Sequence, residues 1–174
     1  GMATNIPTHN LCEVNEAVQW SLAHPDAAPE ELLAAAMARI KGPDFPTGAA
    51  IYGGKGLTEA YTTGRGTIKI RGRAEVEERK KDYVSVVIRE IPYALNKSSL
   101  VEKIAALIND GRIEGVSDLR DESDRKGIRI VLDLKKGVIP DIVINALYKC
   151  TPLETSLGIN MLVVADNRAA LLNI

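Results

Sequence analysis

From Gly64 to Arg73 the chain reads GRGTIKIRGR, and polar and apolar residues alternate through it. Thr67, Lys69, Arg71 and Arg73 share one phase, and Ile68, Ile70 and Gly72 share the other. A period of two belongs to a strand with one solvated and one buried face. The isoleucines are therefore expected in a core, with three cations on the outer face and no acid among them. Same-face side chains recur every ~7 Å, about two axial phosphate steps of one DNA strand. Gly64 and Gly66 flank Arg65 and are expected to let the backbone approach a ligand closely. The pattern predicts a phosphate-reading ribbon, and its alternative is a hairpin strand with solvated cations.

The strand extends to about Glu78, and Arg79-Lys80-Lys81-Asp82 reads as a turn. Tyr83 to Ile91 alternates again, which predicts a long basic antiparallel hairpin over residues 64–91, ended by Pro92. A helix follows from Lys97 or Ser98 with Leu100, Ile104, Leu107 and Ile108 on one face, then strands near 115–120 and 128–135. Pro140 opens another helix, Ile159 to Ala165 reads as one strand, and Asp166-Asn167-Arg168 turns into a C-terminal hairpin. The order β-α-β-β-α-β over residues 83–165 is that of a ferredoxin-like split βαβ unit with both helices on one sheet face. The fold class is α+β.

Ahead of the ribbon, Asn10 is a good N-cap for a helix carrying Leu11, Val14, Val18 and Leu22, with Cys12 on its apolar side as core. Pro29 starts a second amphipathic helix with Leu32, Leu33, Ala36, Met37 and Ile40. The segment GPDFPTG, Gly42 to Gly48, is a rigid connector. A short strand is expected over Ala49 to Tyr52 and a short helix over Lys55 to Thr63, ended by Gly64. Two parts result: residues 1–48, helical and loop-like, and residues 49–174.

Net charge is only −1, so any polyanion contact must be local. Residues 1–62 hold three cations against seven acids, residues 63–100 nine against five, and residues 101–174 ten against eleven. Aromatic residues at 4% are too few for a base-stacking platform. Cys12 and Cys150 are far apart and lack a CxxC partner, which predicts buried thiols in a reducing, cytoplasmic compartment. There is no apolar run of membrane-spanning length, so no membrane partner is expected.

Asp118, Asp121, Glu122 and Asp124 surround Arg120 and Arg125 and invite a Mg²⁺ reading, but the arginines compete for the same carboxylates. Gly53-Gly54-Lys55-Gly56 lacks the framing of a Walker loop. His9, beside Pro7 and Asn10, is expected to bond backbone or touch a phosphate. No nucleophile–base constellation emerges, so no self-sufficient active site is predicted.

Several stretches together resemble one family. GMATNIPTHNL, KGPDFPTG, TGRG, EIPYALNKSSLVEKIAALI, LRDESDRKGIRIVLDLK and GINML run in the order found in the A subunits of bacterial type IIA topoisomerases, DNA gyrase and topoisomerase IV. The resemblance covers essentially all 174 residues. It implies the exit of a winged-helix domain over residues 1–48 and a tower domain over 49–174. It also implies that the chain is a fragment supporting the arms of a cleaved, bent duplex. The family's catalytic tyrosine, its neighbouring arginine and its intercalating isoleucine would lie upstream, so none of Tyr52, Tyr61, Tyr83, Tyr93 or Tyr148 is the nucleophile.

The resemblance further implies three partners in an A2B2 enzyme: duplex DNA, a second copy forming the A-type homodimer, and the gyrase B-type subunit. The fragment itself needs no cofactor, with Mg²⁺ and ATP entering through the B-type subunit. The DNA-binding candidates are Arg65, Lys69, Arg71, Arg73 and His9. Thr8 departs from the family pattern, which has a second proline there. The alternative is a protein–protein scaffold whose basic ribbon binds an acidic partner.

Overall fold

The computed structural model of the chain describes residues 3–80 and 83–174, apart from the side chains of residues 79 and 80. The expected turn at 79–82 therefore lies partly outside the described residues. The helices are α1 (Leu11–Ala23), α2 (Pro29–Arg39), α3 (Gly54–Thr63), α4 (Lys97–Asn109) and α5 (Pro140–Cys150). The strands are β1 (Ala50–Tyr52), β2 (Arg65–Arg71), β3 (Arg73–Lys80), β4 (Tyr83–Glu90), β5 (Val116–Asp121), β6 (Ile130–Leu134), β7 (Glu154–Asn160), β8 (Leu162–Ala165) and β9 (Arg168–Leu171). The fold is α+β, as the order of periodic segments predicted.

Local chemistry accounts for the helix ends. The Asn10 side chain accepts bonds from the Cys12 and Glu13 amides, and Asn96 accepts one from Ser99. Prolines open α2 and α5, where a missing N–H costs nothing. Gly64 ends α3 at φ 79°, a left-handed cap.

The chain forms two compact units. The first comprises residues 1–46, 51–69 and 156–174, and the second residues 47–50 and 70–155. Sheet orders are β1-β2-β7, β3-β4-β6-β5 and β8-β9.

In the second unit Val86, Ile88, Ile130, Leu132 and Leu134 join Leu100, Ile104 and Leu107 of α4 and Val143 and Leu147 of α5 in one core. These strand residues share one phase of the pleat, so both helices cover the same face. Fully burying each such side chain stabilises by about 1.5–3 kcal/mol. The other phase carries Val87 and Val131, paired in register and fully buried. Their cross-strand neighbours are Glu75 and Arg120.

Strand placement differs from the sequence reading in three respects. The run from 64 to 91 is not one hairpin, because Gly72 divides it into β2 and β3, which lie in different sheets. A Cβ at position 72 would meet the Glu90 carbonyl oxygen at 2.5 Å and Leu153 Cδ1 at 2.6 Å, so only glycine passes there. Second, the element order β-α-β-β-α-β holds along the chain, but the place beside β4 belongs to β3, and β7 pairs in the other sheet. β3 pairs with β4 along nearly its whole length, and strands so close in sequence cost little entropy to bring together. Third, the expected strand from Ile159 to Ala165 is divided at Met161, whose amide donates to the Gly64 carbonyl and whose carbonyl accepts from Leu172.

In the first unit Ile40, Phe45, Ala60, Tyr61, Ile68, Ile159 and Met161 are buried. Helices α1 and α2 pack together, yet α1 buries none of its residues fully. Leu11, Val18 and Leu22 are 80%, 50% and 76% exposed, so the apolar stripe is present without the core expected beneath it. Cys12 is likewise exposed and Cys150 half-buried, against the expectation of buried thiols.

Candidate nucleic-acid interface

Within the first unit, residues 65–69 of β2 keep the predicted alternation. Ile68 is fully buried, and Arg65, Thr67 and Lys69 are exposed. The helix α3 lies directly on this strand. A Cβ on Gly66 would meet the Gly56 carbonyl oxygen at 2.3 Å, and one on Gly56 would meet the Thr67 oxygen at 1.9 Å. Gly66 therefore serves helix–strand contact within the protein rather than approach to a ligand, which corrects its reading.

Arg65 donates from Nε to the Asn160 side-chain oxygen at 3.1 Å. Asn160 in turn donates from Nδ2 to the Ala3 carbonyl at 2.5 Å, and its backbone forms a two-bond bridge with Asn5. Arg65 is thus held by a neutral amide, which orients the guanidinium without cancelling its charge.

His9 is half-buried, and its Nε2 lies 2.7 Å from the Tyr61 hydroxyl, with the rings tilted at 5.7 Å between centroids. Burial lowers the His9 pKa below its ordinary value, against smaller opposing effects from the Pro7 backbone and Glu13. Burial also raises the Tyr61 hydroxyl, and Glu13 adds to that shift. A neutral imidazole engaged with a buried phenol is poorly suited to attract phosphate. The histidine's evident role is to tie the 5–10 loop to α3.

The second unit holds the other two ribbon cations, and both have acidic partners. Arg71 reaches Glu154 from Nε at 2.8 Å and from Nη2 at 2.5 Å. Its guanidinium also lies 4.5 Å from the Tyr148 ring centroid, and the Tyr148 hydroxyl donates to the Gly72 carbonyl. Arg73 pairs with Glu75 at 2.9 Å. The expectation of an outer face without acids fails here, because the carboxylates come from elsewhere. An open cleft of about 450 Å³ beside them is lined by Arg71, Arg73, Glu90 and Tyr148, so its cations are also opposed by a carboxylate.

Arg73 is one end of a chain of ion pairs across the β3-β4-β6-β5 sheet. Glu75 and Glu77 bind Arg89, Glu77 and Glu122 bind Arg129, and Arg120 binds Glu122, Asp118 and Asp133. The bonds to Arg129 and Arg89 hold the Glu77 carboxyl down at about 2. Lys97 and Ser123 hold Asp121 at about 2. Asp118, Asp121 and Glu122, which invited a Mg²⁺ reading, are thus engaged by cations of the protein, and Asp124 accepts from the Lys126 backbone amide. Among the described residues no cluster of His, Cys, Asp or Glu is arranged to hold a metal ion.

Sequence reasoning missed Asn160, Glu154 and Tyr148. They lie 95, 83 and 77 positions from the arginines they serve, and no local pattern announces them.

The family of DNA gyrase and topoisomerase IV A subunits matches residues 1–174. The DNA gyrase A subunit of Lawsonia intracellularis is 64% identical over 174 residues, covering all of this chain and 21% of that protein. The Clostridium acetobutylicum protein of the same name is 51% identical over 174 residues, again all of this chain and 20% of its own length. The Mycobacterium tuberculosis H37Rv protein of that name is 50% identical over 167 residues, 95% of this chain and 20% of the relative. The chain spans about one fifth of the length of these curated relatives.

Proposed function

Because the chain belongs to the family of DNA gyrase and topoisomerase IV A subunits, we propose that it is a DNA-supporting part of such a protein. In this reading residues 1–48 are the winged-helix exit and residues 49–174 the tower. The observation that carries it is the outward phase of β2 in the first unit. There Arg65 and Lys69 are exposed on a strand anchored by Ile68, and Arg65 keeps its charge against a neutral amide. Such contacts bind phosphate and position a duplex without reading its bases.

The ligand is double-stranded DNA, held as the bent gate segment while a second duplex passes. The protein partners are a second copy of the A-type chain and two gyrase B-type subunits, which bring ATP and Mg²⁺. The three relatives carry the gyrase name, which supports gyrase over topoisomerase IV. Action in the cytoplasm fits the absence, among the described residues, of any helix long and apolar enough to cross a membrane.

The chain alone performs no strand cleavage. Tyr61 is buried against His9 with its hydroxyl pKa raised, and Tyr148 donates to Gly72, so neither is poised to attack a phosphodiester. Incubating the 174-residue chain with duplex DNA of random sequence tests the reading. Weak affinity that falls with salt is expected, without covalent trapping. Salt-independent behaviour, or preferential capture of acidic protein, would instead support a scaffold.

A further inference from the structure

Asn160, at the end of β7, makes two side-chain bonds of opposite polarity. Its Nδ2 donates to the Ala3 carbonyl, and its Oδ1 accepts from Arg65 Nε. Only an amide meets both demands, since a carboxylate would repel the Ala3 carbonyl and a hydroxyl is too short to span both partners. The same residue exchanges backbone bonds with Asn5 at 2.9 and 3.0 Å and accepts the Thr4 hydroxyl at 3.1 Å. Asn5 closes the cluster by donating from Nδ2 to the Gly158 carbonyl at 2.5 Å. One side chain therefore couples the 3–5 stretch to the guanidinium of Arg65.

We infer that Asn160 is a positioning residue for duplex binding, one that presets Arg65 so that the Nη edge of the guanidinium meets a backbone phosphate. The inference rests on the DNA-binding reading above. The amide occupies Nε, the one donor on the flank of the fork, and leaves the paired Nη edge as the geometry for a phosphodiester. An arginine held in this way loses less side-chain freedom on binding than one that must be ordered by the ligand. Glutamate or aspartate in the same place would orient Arg65 equally well but would oppose the phosphate, as Glu154 does at Arg71.

The test is a double-mutant cycle on the 174-residue chain, read as affinity for random-sequence duplex DNA over a salt series, with circular dichroism as the folding control. Asn160→Ala leaves every cation in place, so affinity should fall about threefold while the salt slope stays unchanged. Arg65→Ala should flatten the slope by about 0.9. In the Arg65→Ala background, Asn160→Ala should add nothing, because a residue that acts through another has no effect once its target is gone. Asn160→Asp serves if the alanine variant unfolds. It keeps the acceptor and adds a charge, so it should flatten the slope when Arg65 is present and do much less when it is absent. Equal effects of Asn160 substitution with and without Arg65 would overturn the inference while leaving the DNA reading intact. A wild-type chain with no salt-dependent affinity would overturn the DNA reading itself, and this inference with it.

Discussion

Arg65 and Arg71 stand six residues apart on the same strand, at the same phase, and meet different fates. Arg65 is exposed and bonded to the neutral amide of Asn160, whereas Arg71 is ion-paired to Glu154 and stacked on Tyr148. Asn160 and Glu154 both belong to β7, which carries an amide at one end and a carboxylate at the other. A basic stripe in sequence is thus a set of cations with different duties, decided by what the neighbouring strand presents. Arg71 fastens the second unit, and Arg65 remains available to an anion.

The comparison requires residues 65–69 of β2 to be rigidly seated in the first unit, and breaking that seat should have the largest effect. In Gly66→Ala the new methyl meets the Gly56 oxygen at 2.3 Å and Ala60 at 2.8 Å, both fixed by α3. Overpacking of this kind costs about 3 kcal/mol. Denaturant titration should show loss of the first unit's transition together with DNA affinity, and an unchanged midpoint would mean that α3 yields easily.

A smaller effect separates the two arginines. Arg71→Ala should destabilise the chain by about 1–2 kcal/mol, the combined worth of a partly exposed ion pair and a cation–π contact. Thermal melting would detect this, and Arg65→Ala should melt almost as the wild type does. Equal losses would mean that the two arginines do the same work.

Acid should divide the units as well. His9 has its folded pKa below the unfolded value of 6.5, so its unfolded form binds more protons. Its contribution is present above pH 6.5 and declines as pH falls through that value. Glu77 drops from 4.5 to about 2 on folding, and Asp121 from 3.8 to about 2. Their contribution is present above those unfolded values and is lost as pH falls towards 2. Hydrogen exchange should therefore show the loop at residues 5–10 loosening first and the β3-β4-β6-β5 sheet only in the carboxylate range. Simultaneous loosening would contradict the division.

The sequence announced elements more clearly than their partners. Asn10, Pro29, Pro140 and Gly64 act within a turn of their own backbone, so these helix ends were legible. The alternation in β4 and β6 and the spacing of Leu100, Ile104 and Leu107 gave the second unit's core for the same reason. Which strand lies beside β4 was not legible, because β3 and β7 both offer suitable pleats and the choice rests on loop closure and on the passage at Gly72. Nor was the state of each cation, since Asn160 and Glu154 lie 95 and 83 positions along the chain from the arginines they bind. The stripe of α1 was read correctly as a stripe and wrongly as core, because periodicity reports a face and not what covers it.

The most direct test of the division of labour along the strand is the salt slope of duplex binding in two single variants. Arg65→Ala should flatten the plot of log affinity against log salt by about 0.9, one phosphate contact's worth. Arg71→Ala should leave that slope as in the wild type, with only the stability loss already described. Equal flattening in both variants, about 0.9 each, would mean that both arginines face the DNA and would contradict the account.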